Sequence, residues 1–284
     1  MLLLLACTEN IVFEIGWPET GCTSEHQPAL DSVETAREEF TVNGLTVGVL
    51  RPRPEGCWPA LVLVPPGFDE GLPELDEEVS EDLAGAGLVV VAFDPPGRGL
   101  SGGVEDHGGL GHQDALAALL SWVAARDDVD PQRVVLRSRS FGLTMASGAL
   151  HRHQELGVLA LVDLEGPVAL PEDLEYVTEQ SRAALYDVAT GPDWWVERSP
   201  SEHLGFLSAR YRRIQALEDH ATGSWLGHAQ AAVNEALDGS AASVDLNQVE
   251  RERWSYEDVL SDALGGRVKH DDSRAVELVL DLFE

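Results

Sequence analysis

Uninterrupted apolar runs alternate with amphipathic stretches along most of the chain. Two such runs, residues 60–64 and 88–93, contain only Ala, Leu, Val and Phe. A continuous apolar run of this length is typical of a strand buried on both faces, as in the middle of a parallel sheet. The acidic stretch between them, residues 77–83, has helical spacing. The pattern therefore predicts a strand, a helix and a second strand in sequence.

A hairpin is predicted before this unit, and further alternating elements follow it. The strands expected at 40–42 and 45–50 flank Asn43 and Gly44, a dipeptide that favours a hairpin turn. The later pattern predicts strands at 134–136, 158–162, 211–217 and 243–246, with helices at 113–126, 141–155, 227–237 and 273–283. This alternation predicts an α/β fold with a doubly wound, mostly parallel sheet.

Two segments depart from the alternation. Residues 1–33 show no sustained period, which suits an irregular leader and tether, and residues 34–284 then form one domain. Residues 167–209 are rich in Glu, Leu, Trp and Tyr with helical spacing, and they lie between two predicted strands. We expect a small helical cap insertion there. Its Trp194 and Trp195 could line a substrate pocket, but packing against the main domain is the favoured role.

Charge and motif content exclude several classes of function. The 284 residues include 50 acidic and 19 basic side chains, a formal net charge of -31, so nucleic-acid binding is not expected. Gly97 and Gly99 lack the third glycine of a dinucleotide loop, and no cofactor is predicted. His151 and His153 are two residues apart and do not share a helix face. No metal site is predicted either.

The stretch at 134–146 carries the strongest chemical signal. It reads as a short strand, a sharp turn with Ser140 at its tip, and a helix, which is how a nucleophile elbow is built. Such a turn needs small residues two positions before and after the serine, here Ser138 and Gly142. The helix that follows would direct its first N–H groups towards the space in front of Ser140. The pattern S-R-S-F-G is a degenerate form of G-x-S-x-G.

Three motifs in order give the chain a resemblance to a known superfamily. Residues 64–68 (VPPGF) are similar to the strand-end oxyanion loop, residues 93–102 (FDPPGRGLSG) to the D-x-x-G-x-G-x-S turn, and the elbow at Ser140 follows. From residue 38 to 284 the chain resembles the α/β-hydrolases, in particular prolyl-oligopeptidase-like and dienelactone-hydrolase-like bacterial members. The resemblance implies that Ser140 is the nucleophile and that the backbone N–H groups of Phe68 and Phe141 hold an oxyanion.

The same resemblance places the acid of a catalytic triad in the loop after the strand at 211–217. Asp219 occupies that loop and is the expected acid. Glu218 beside it is one alternative. Glu165, after the preceding strand, is the more distant one. A turn-forming or capping role for Asp219 is the non-catalytic interpretation.

The resemblance places the base between the last strand and the terminal helix, where His270 is the only histidine. His270 is therefore the expected base, although Asn247 occupies the position nearer the last strand. His220 and His228 are the alternatives. His107 and His112, on the glycine-rich stretch at 102–111, could instead contact substrate.

The N-terminus resembles a second kind of motif. Residues 2–7 (LLLLAC) are similar to the lipobox of bacterial lipoproteins, in which Cys7 would be lipidated. A basic segment is missing and the apolar run is short, so we favour a truncated lipoprotein leader over an accidental match. Without Cys7, Cys22 and Cys57 form an even pair that could be a disulfide in an oxidising compartment. The expected location is the cell envelope or periplasm, with a cytoplasmic enzyme as the alternative.

These observations lead to two hypotheses. The first is a serine hydrolase that cleaves an ester or a small peptide-like acyl bond through a Ser140 acyl-enzyme, with a small-molecule or peptide-like substrate. The second is a catalytically degenerate α/β-hydrolase-fold protein that serves as a surface-tethered binding module. The degenerate elbow and the absence of a histidine near the last strand motivate the second hypothesis.

Overall fold

The computed structural model describes residues 15–26, 28, 33–268 and 273–283. They build one eight-stranded sheet in the order β1-β2-β4-β3-β5-β6-β7-β8. β2 runs antiparallel to both of its neighbours, β1 and β4. The remaining strands, in the sheet order β4-β3-β5-β6-β7-β8, are parallel to one another. The strands are β1 Thr35–Val42, β2 Leu45–Pro52, β3 Trp58–Val64, β4 Val89–Phe93, β5 Val129–Arg139, β6 Ala160–Leu164, β7 Arg210–Ile214 and β8 Val244–Leu246.

Helices cover both faces of the sheet, as a doubly wound fold requires. One face packs against α1 and α8, and the other against α2, α3, α6 and α7. The central strands β3 and β4 are buried along almost their whole length, which explains their continuous apolar runs. The helices are α1 Glu78–Gly85, α2 Leu110–Ala124, α3 Gly142–Arg152, α4 Glu179–Val188, α5 Pro192–Val196, α6 Gly227–Asp238, α7 Tyr256–Asp262 and α8 Ser273–Leu280.

The α/β fold and the mostly parallel sheet are confirmed. The hairpin turn lies at Asn43 and Gly44, both of which have positive φ angles, 50° and 82°. The structure adds helix α7, which lies between the predicted strand at 243–246 and the predicted helix at 273–283. Ser255 begins this helix and shares a capping box with Asp258.

The segment between β6 and β7 is helical. It contains α4, α5 and three short 3-10 helices, and it covers one end of the sheet. Trp194 and Trp195 are both buried, where they pack with Phe141, Leu174 and Leu185. The two tryptophans therefore contribute to a small separate core that joins this segment to the elbow.

The described N-terminal residues run along the domain surface. Residues 15–26 form no helix or strand, and the Trp17 ring N–H donates to the carbonyl oxygen of Pro131 over 3.1 Å. A disulfide joins Cys22 to Cys57 and so ties this segment to the start of β3. Cys7 lies outside the described residues. Within the described part of the chain, no helix is long and apolar enough to cross a bilayer.

Candidate active site

The elbow positions Ser140 directly after Arg139, the last residue of β5. The backbone N–H of Ser140 donates to the carbonyl oxygen of Leu164 at the end of β6 over 2.9 Å, and the serine turns with φ 52°. The following turn passes very close to β3. A Cβ on Gly142 would lie 2.6 Å from the carbonyl oxygen of Pro65, so only glycine fits there. The strained turn lifts the Ser140 hydroxyl out of the sheet.

His220 faces this hydroxyl. Its Nε2 lies 2.8 Å from the Ser140 Oγ, and its Nδ1 lies 2.8 Å from Oε2 of Glu165. A carboxylate only accepts hydrogen bonds, so Nδ1 carries the proton and Nε2 accepts from the serine hydroxyl. The three side chains thus form a continuous Ser–His–Glu chain with the geometry of a catalytic triad.

Glu165 is held by backbone and side-chain donors. It follows the last residue of β6 with φ 53°, and its N–H donates to the carbonyl oxygen of Ile214 over 3.2 Å. Its Oε1 accepts from the N–H of Ala216 at 3.0 Å, and Oε2 accepts from the N–H of His220 at 3.1 Å. The carboxylate is 2 % exposed, so these contacts fix its orientation away from bulk water.

Asp219, the acid expected from the sequence, makes different contacts. Its Oδ1 accepts from the N–H groups of Ala221 and Thr222, and its Oδ2 from Gln215 at 2.9 Å. Its nearest approach to Nδ1 of His220 is 3.9 Å. Burial tends to raise the pKa of Asp219, but hydrogen bonds, first of all from His228, outweigh burial and hold the pKa well below its ordinary value. Asp219 therefore anchors the loop that carries His220.

A buried polar network supports this loop from below. Arg213 is fully buried and donates to Asp163, to Gln215 and, over 2.9 Å, to Nδ1 of His228. Since an arginine can only donate, Nδ1 of His228 accepts, and its protonated Nε2 faces Asp219 at 3.3 Å. The attraction of Asp163 exceeds the effect of burial and raises the pKa of Arg213. Nothing in the sequence pattern singled out Arg213.

Two backbone N–H groups flank the serine. Phe141 precedes α3, and Phe68 lies in the loop after β3; both line the same cavity as Ser140. Among the described residues, neither N–H has a hydrogen-bond acceptor. Free N–H groups on either side of a serine hydroxyl are the arrangement that stabilises a tetrahedral oxyanion.

The cavity over Ser140 has a volume of about 480 Å³. Its walls are mostly apolar, and part of them comes from the helical segment between β6 and β7. The lining side chains include Phe68, Phe141, Leu174, Val177 and Leu185. Such a cavity fits an uncharged organic group of modest size.

The structure places the remaining site predictions as follows. His270 lies outside the described residues. Asn247 follows β8, where its Oδ1 accepts from the N–H of Gln215 at 3.1 Å, so it joins two strand ends. His228 contacts Arg213 and not Ser140. The histidine beside the serine is His220, in the loop after β7, whereas the base was expected after the last strand. The acid beside His220 is Glu165, after β6, whereas the acid was expected after β7.

Glu165, Asp219 and His220 also have potential metal-ligand atoms within 4.8 Å of one another. In this cluster the carboxylate oxygens already accept hydrogen bonds from protein N–H groups. A cation would have to displace those donors. The contacts therefore fit a hydrogen-bonded acid and base better than a metal site.

Comparisons with known proteins agree with this architecture. The family described as X-Pro dipeptidyl-peptidase (S15 family) matches residues 43–181, a stretch that includes Ser140 and Glu165 but not His220. A search of curated proteins found no match.

Solved structures are similar to most of the chain. A puromycin-hydrolyzing peptidase of Mycobacterium tuberculosis has a TM-score of 0.63 at 15% identity and covers 88% of this chain and 38% of its own. Acetyl xylan esterase 1 of Thermoanaerobacterium sp. has a TM-score of 0.60 at 17% identity, and the match covers 96% of this chain and 89% of the esterase chain. An acylaminoacyl peptidase of Pyrococcus horikoshii has a TM-score of 0.58 at 15% identity, and the match covers 76% of this chain and 37% of the peptidase chain. The chain thus spans less than two fifths of either peptidase chain.

Sheet order, elbow and comparisons together define the fold. The chain has the α/β-hydrolase fold, and residues 43–181 match a family of serine peptidases with that fold. The matching family and the similar structures named above are peptidases and an esterase.

Proposed function

We propose that the protein is a serine hydrolase that cleaves an ester or a small peptide-like acyl bond through an acyl-enzyme on Ser140. The observation that carries the proposal is the unbroken chain from Ser140 through His220 to Glu165, with 2.8 Å at each link. A serine hydroxyl is a weak nucleophile alone, and a neighbouring histidine that accepts its proton makes it reactive.

The steps follow from these contacts. As the Ser140 oxygen attacks the acyl carbon, its proton moves to Nε2 of His220, and the Glu165 carboxylate stabilises the resulting imidazolium. The N–H groups of Phe68 and Phe141 stabilise the oxyanion. His220 then returns the proton to the leaving group. Water repeats the sequence on the acyl-enzyme, which releases the acid product and restores Ser140.

The apolar walls of the cavity favour an uncharged acyl or leaving group. The peptidase names among the similar proteins make an amide bond a candidate, and the acetyl xylan esterase makes an ester one. Of the two acids that line the cavity, Glu165 is already fully hydrogen-bonded. This leaves Asp69 as the one unoccupied carboxylate among the described lining residues that could meet a substrate amine.

The test compares two substrates and two serine variants. We expect p-nitrophenyl butyrate to be hydrolysed by the native protein and not by Ser140→Ala, while Ser240→Ala, at an exposed position beyond α6, keeps full activity. A dipeptide p-nitroanilide with proline at the second position measures the amide alternative. Equal rates in native protein and Ser140→Ala would refute the proposal.

The binding-module hypothesis receives no specific support. One of its two motives is the lack of a histidine near the last strand. His220, bonded to Ser140, supplies the missing base from the loop after β7.

A further inference from the structure

The turn after β4 contains a buried arginine that the proposed chemistry does not use directly. Arg98 is 6 % exposed. Its Nη1 donates to the carbonyl oxygen of Gly67 over 3.0 Å and to that of Asp69 over 3.3 Å. These two carbonyl groups belong to the residues before and after Phe68, which lines the serine cavity. One guanidinium group therefore holds the Gly67–Phe68 peptide, which contains the Phe68 N–H, and the Asp69 carbonyl further along the same loop.

Because the peptide bond is planar, the contact between Arg98 and the Gly67 carbonyl also fixes the direction of the Phe68 N–H. In a trans peptide the C=O and the N–H point in opposite directions. The carbonyl of Gly67 and the N–H of Phe68 belong to the same peptide group. When Arg98 fixes that carbonyl on one side of the loop, the Phe68 N–H must point to the other side. Phe68 lies between two cavities, because it lines the cavity over Ser140 and also a second cavity that is lined by Arg98.

The loop needs a hydrogen-bond donor such as Arg98 because Gly67 gives its backbone conformational freedom. Gly67 has φ 50° and no atom within 4 Å of an added Cβ, so crowding at this residue does not hold the peptide in place. Phe68 itself is 37 % exposed. Without an external donor, the Gly67–Phe68 peptide could rotate and turn its N–H away from Ser140.

Arg98 is itself held firmly. Glu105 accepts from its Nε at 2.6 Å and from its Nη2 at 2.9 Å, a paired contact that fixes the guanidinium plane. The turn that carries Arg98 is tied to the same loop a second time, because Oδ1 of Asp94 accepts from the N–H groups of Gly71 and Leu72.

We infer that Arg98 is a positioning residue for the oxyanion hole, which acts by holding the Gly67 and Asp69 carbonyls so that the Phe68 N–H faces the tetrahedral intermediate. The inference rests on the proposed function, since it takes the Phe68 N–H as an oxyanion donor. Arg98 does not touch the reacting atoms. Its effect should therefore appear in the transition state and not in substrate binding.

The test compares Arg98→Gln and Arg98→Lys with Arg212→Gln. Arg212 is the matched control, because it is equally buried, pairs with Asp245, donates to the carbonyl of Leu278, and does not line the cavity over Ser140. Removing one oxyanion donor typically lowers kcat about 100-fold. We expect Arg98→Gln to lose roughly that factor in kcat with KM changed less than about twofold. Arg98→Lys, which can still donate to one carbonyl, should recover about tenfold.

The control separates positioning from folding. Arg212→Gln should lower the unfolding temperature at least as much as Arg98→Gln and yet keep kcat. Affinity for a trifluoromethyl ketone, which forms a tetrahedral adduct on the serine, should fall with kcat in Arg98→Gln. A folded Arg98→Gln protein with native kcat would overturn the inference, and so would parallel losses in both Gln variants.

A crystal structure of Arg98→Gln gives an answer that does not depend on turnover. We expect the Gly67–Phe68 peptide to be rotated or to occupy two orientations. An unchanged peptide with its N–H towards Ser140 would contradict the positioning role. If the native protein cleaves neither the ester nor the amide substrate, the proposed function fails, and the peptide orientation still decides what Arg98 does.

Discussion

Replacing Glu165 with glutamine tests which acid supports the histidine. Four donors converge on its two oxygens: Ala216 N–H and the Gln215 amide on Oε1, and the N–H and Nδ1 of His220 on Oε2. A glutamine offers one oxygen and one NH₂. In either orientation its NH₂ faces donors, and the negative charge that stabilises the imidazolium is lost.

The expected loss follows from these contacts. If the amide turns its NH₂ towards His220, Nδ1 must accept, Nε2 keeps the proton, and Ser140 has no base. Triads that lose their acid in this way lose roughly 10³- to 10⁴-fold in kcat. We expect that range for Glu165→Gln, measured as kcat with p-nitrophenyl butyrate at saturating ester.

Asp219→Asn is the matched control, because Asp219 is also a buried carboxylate and lies on the loop that carries His220. Its Oδ1 is 3.9 Å from Nδ1 of His220, too far for a hydrogen bond. The substitution leaves a buried N–H opposite a donor and should lower the free energy of unfolding by about 1–3 kcal/mol. It should reduce kcat by about tenfold or less. A larger kcat loss in Asp219→Asn than in Glu165→Gln would refute this assignment of the acid.

Three further outcomes are expected. Replacing Cys22 and Cys57 with serine should lower the free energy of unfolding by roughly 3–4 kcal/mol, because the disulfide closes a loop with a sequence separation of 35; unchanged urea unfolding would contradict this. Burial lowers the pKa of both His112 and His203 to about 4, so the unfolded chain binds more protons between about pH 4 and 6.5 and stability rises with pH there. The free energy of unfolding should therefore fall from pH 7 to 4.5, by up to about 3 kcal/mol per histidine, and His203→Gln should show a shallower slope in urea titrations. Leu185→Trp should fill part of the cavity and lower kcat/KM for an octanoate ester at least about tenfold more than for an acetate ester, whereas equal losses would show that the acyl chain does not enter it.

Most of the sheet could be predicted because burial and local pattern agree. The strands β3 and β4 are buried on both faces, so their apolar runs are continuous, and the turn at Asn43 and Gly44 needs positive φ angles that these residues tolerate. Helix α7 was missed because it is short and only Val259 is buried, which gives no apolar period.

The sequence pattern singles out Ser140 but not the two side chains that lie beside it, for a physical reason. Ser140 is marked by a local strand, turn and helix, which sequence patterns record. An acid and a base come from loops at the ends of neighbouring strands, and several loops there carry suitable groups. Glu165 and Asp219 both follow strands, and their roles differ only through tertiary contacts. The positive φ that Glu165 shares with Ser140 becomes visible only in the structure.

Arg98 shows a similar limit. The sequence marks the glycine-rich turn that contains it, but not that its guanidinium reaches the carbonyls on either side of Phe68. The contact joins two loops that follow different strands. Such contacts depend on how β3 and β4 lie side by side, which a single sequence does not specify.

The most direct test of the central claim is labelling by a fluorophosphonate probe, which reacts with an activated serine. The account predicts stoichiometric labelling of the native protein, with the added mass on the peptide that contains Ser140. Labelling should vanish in Ser140→Ala and fall at least about 100-fold in rate in His220→Ala. A folded native protein that never reacts, or one that reacts equally well without His220, would contradict the account.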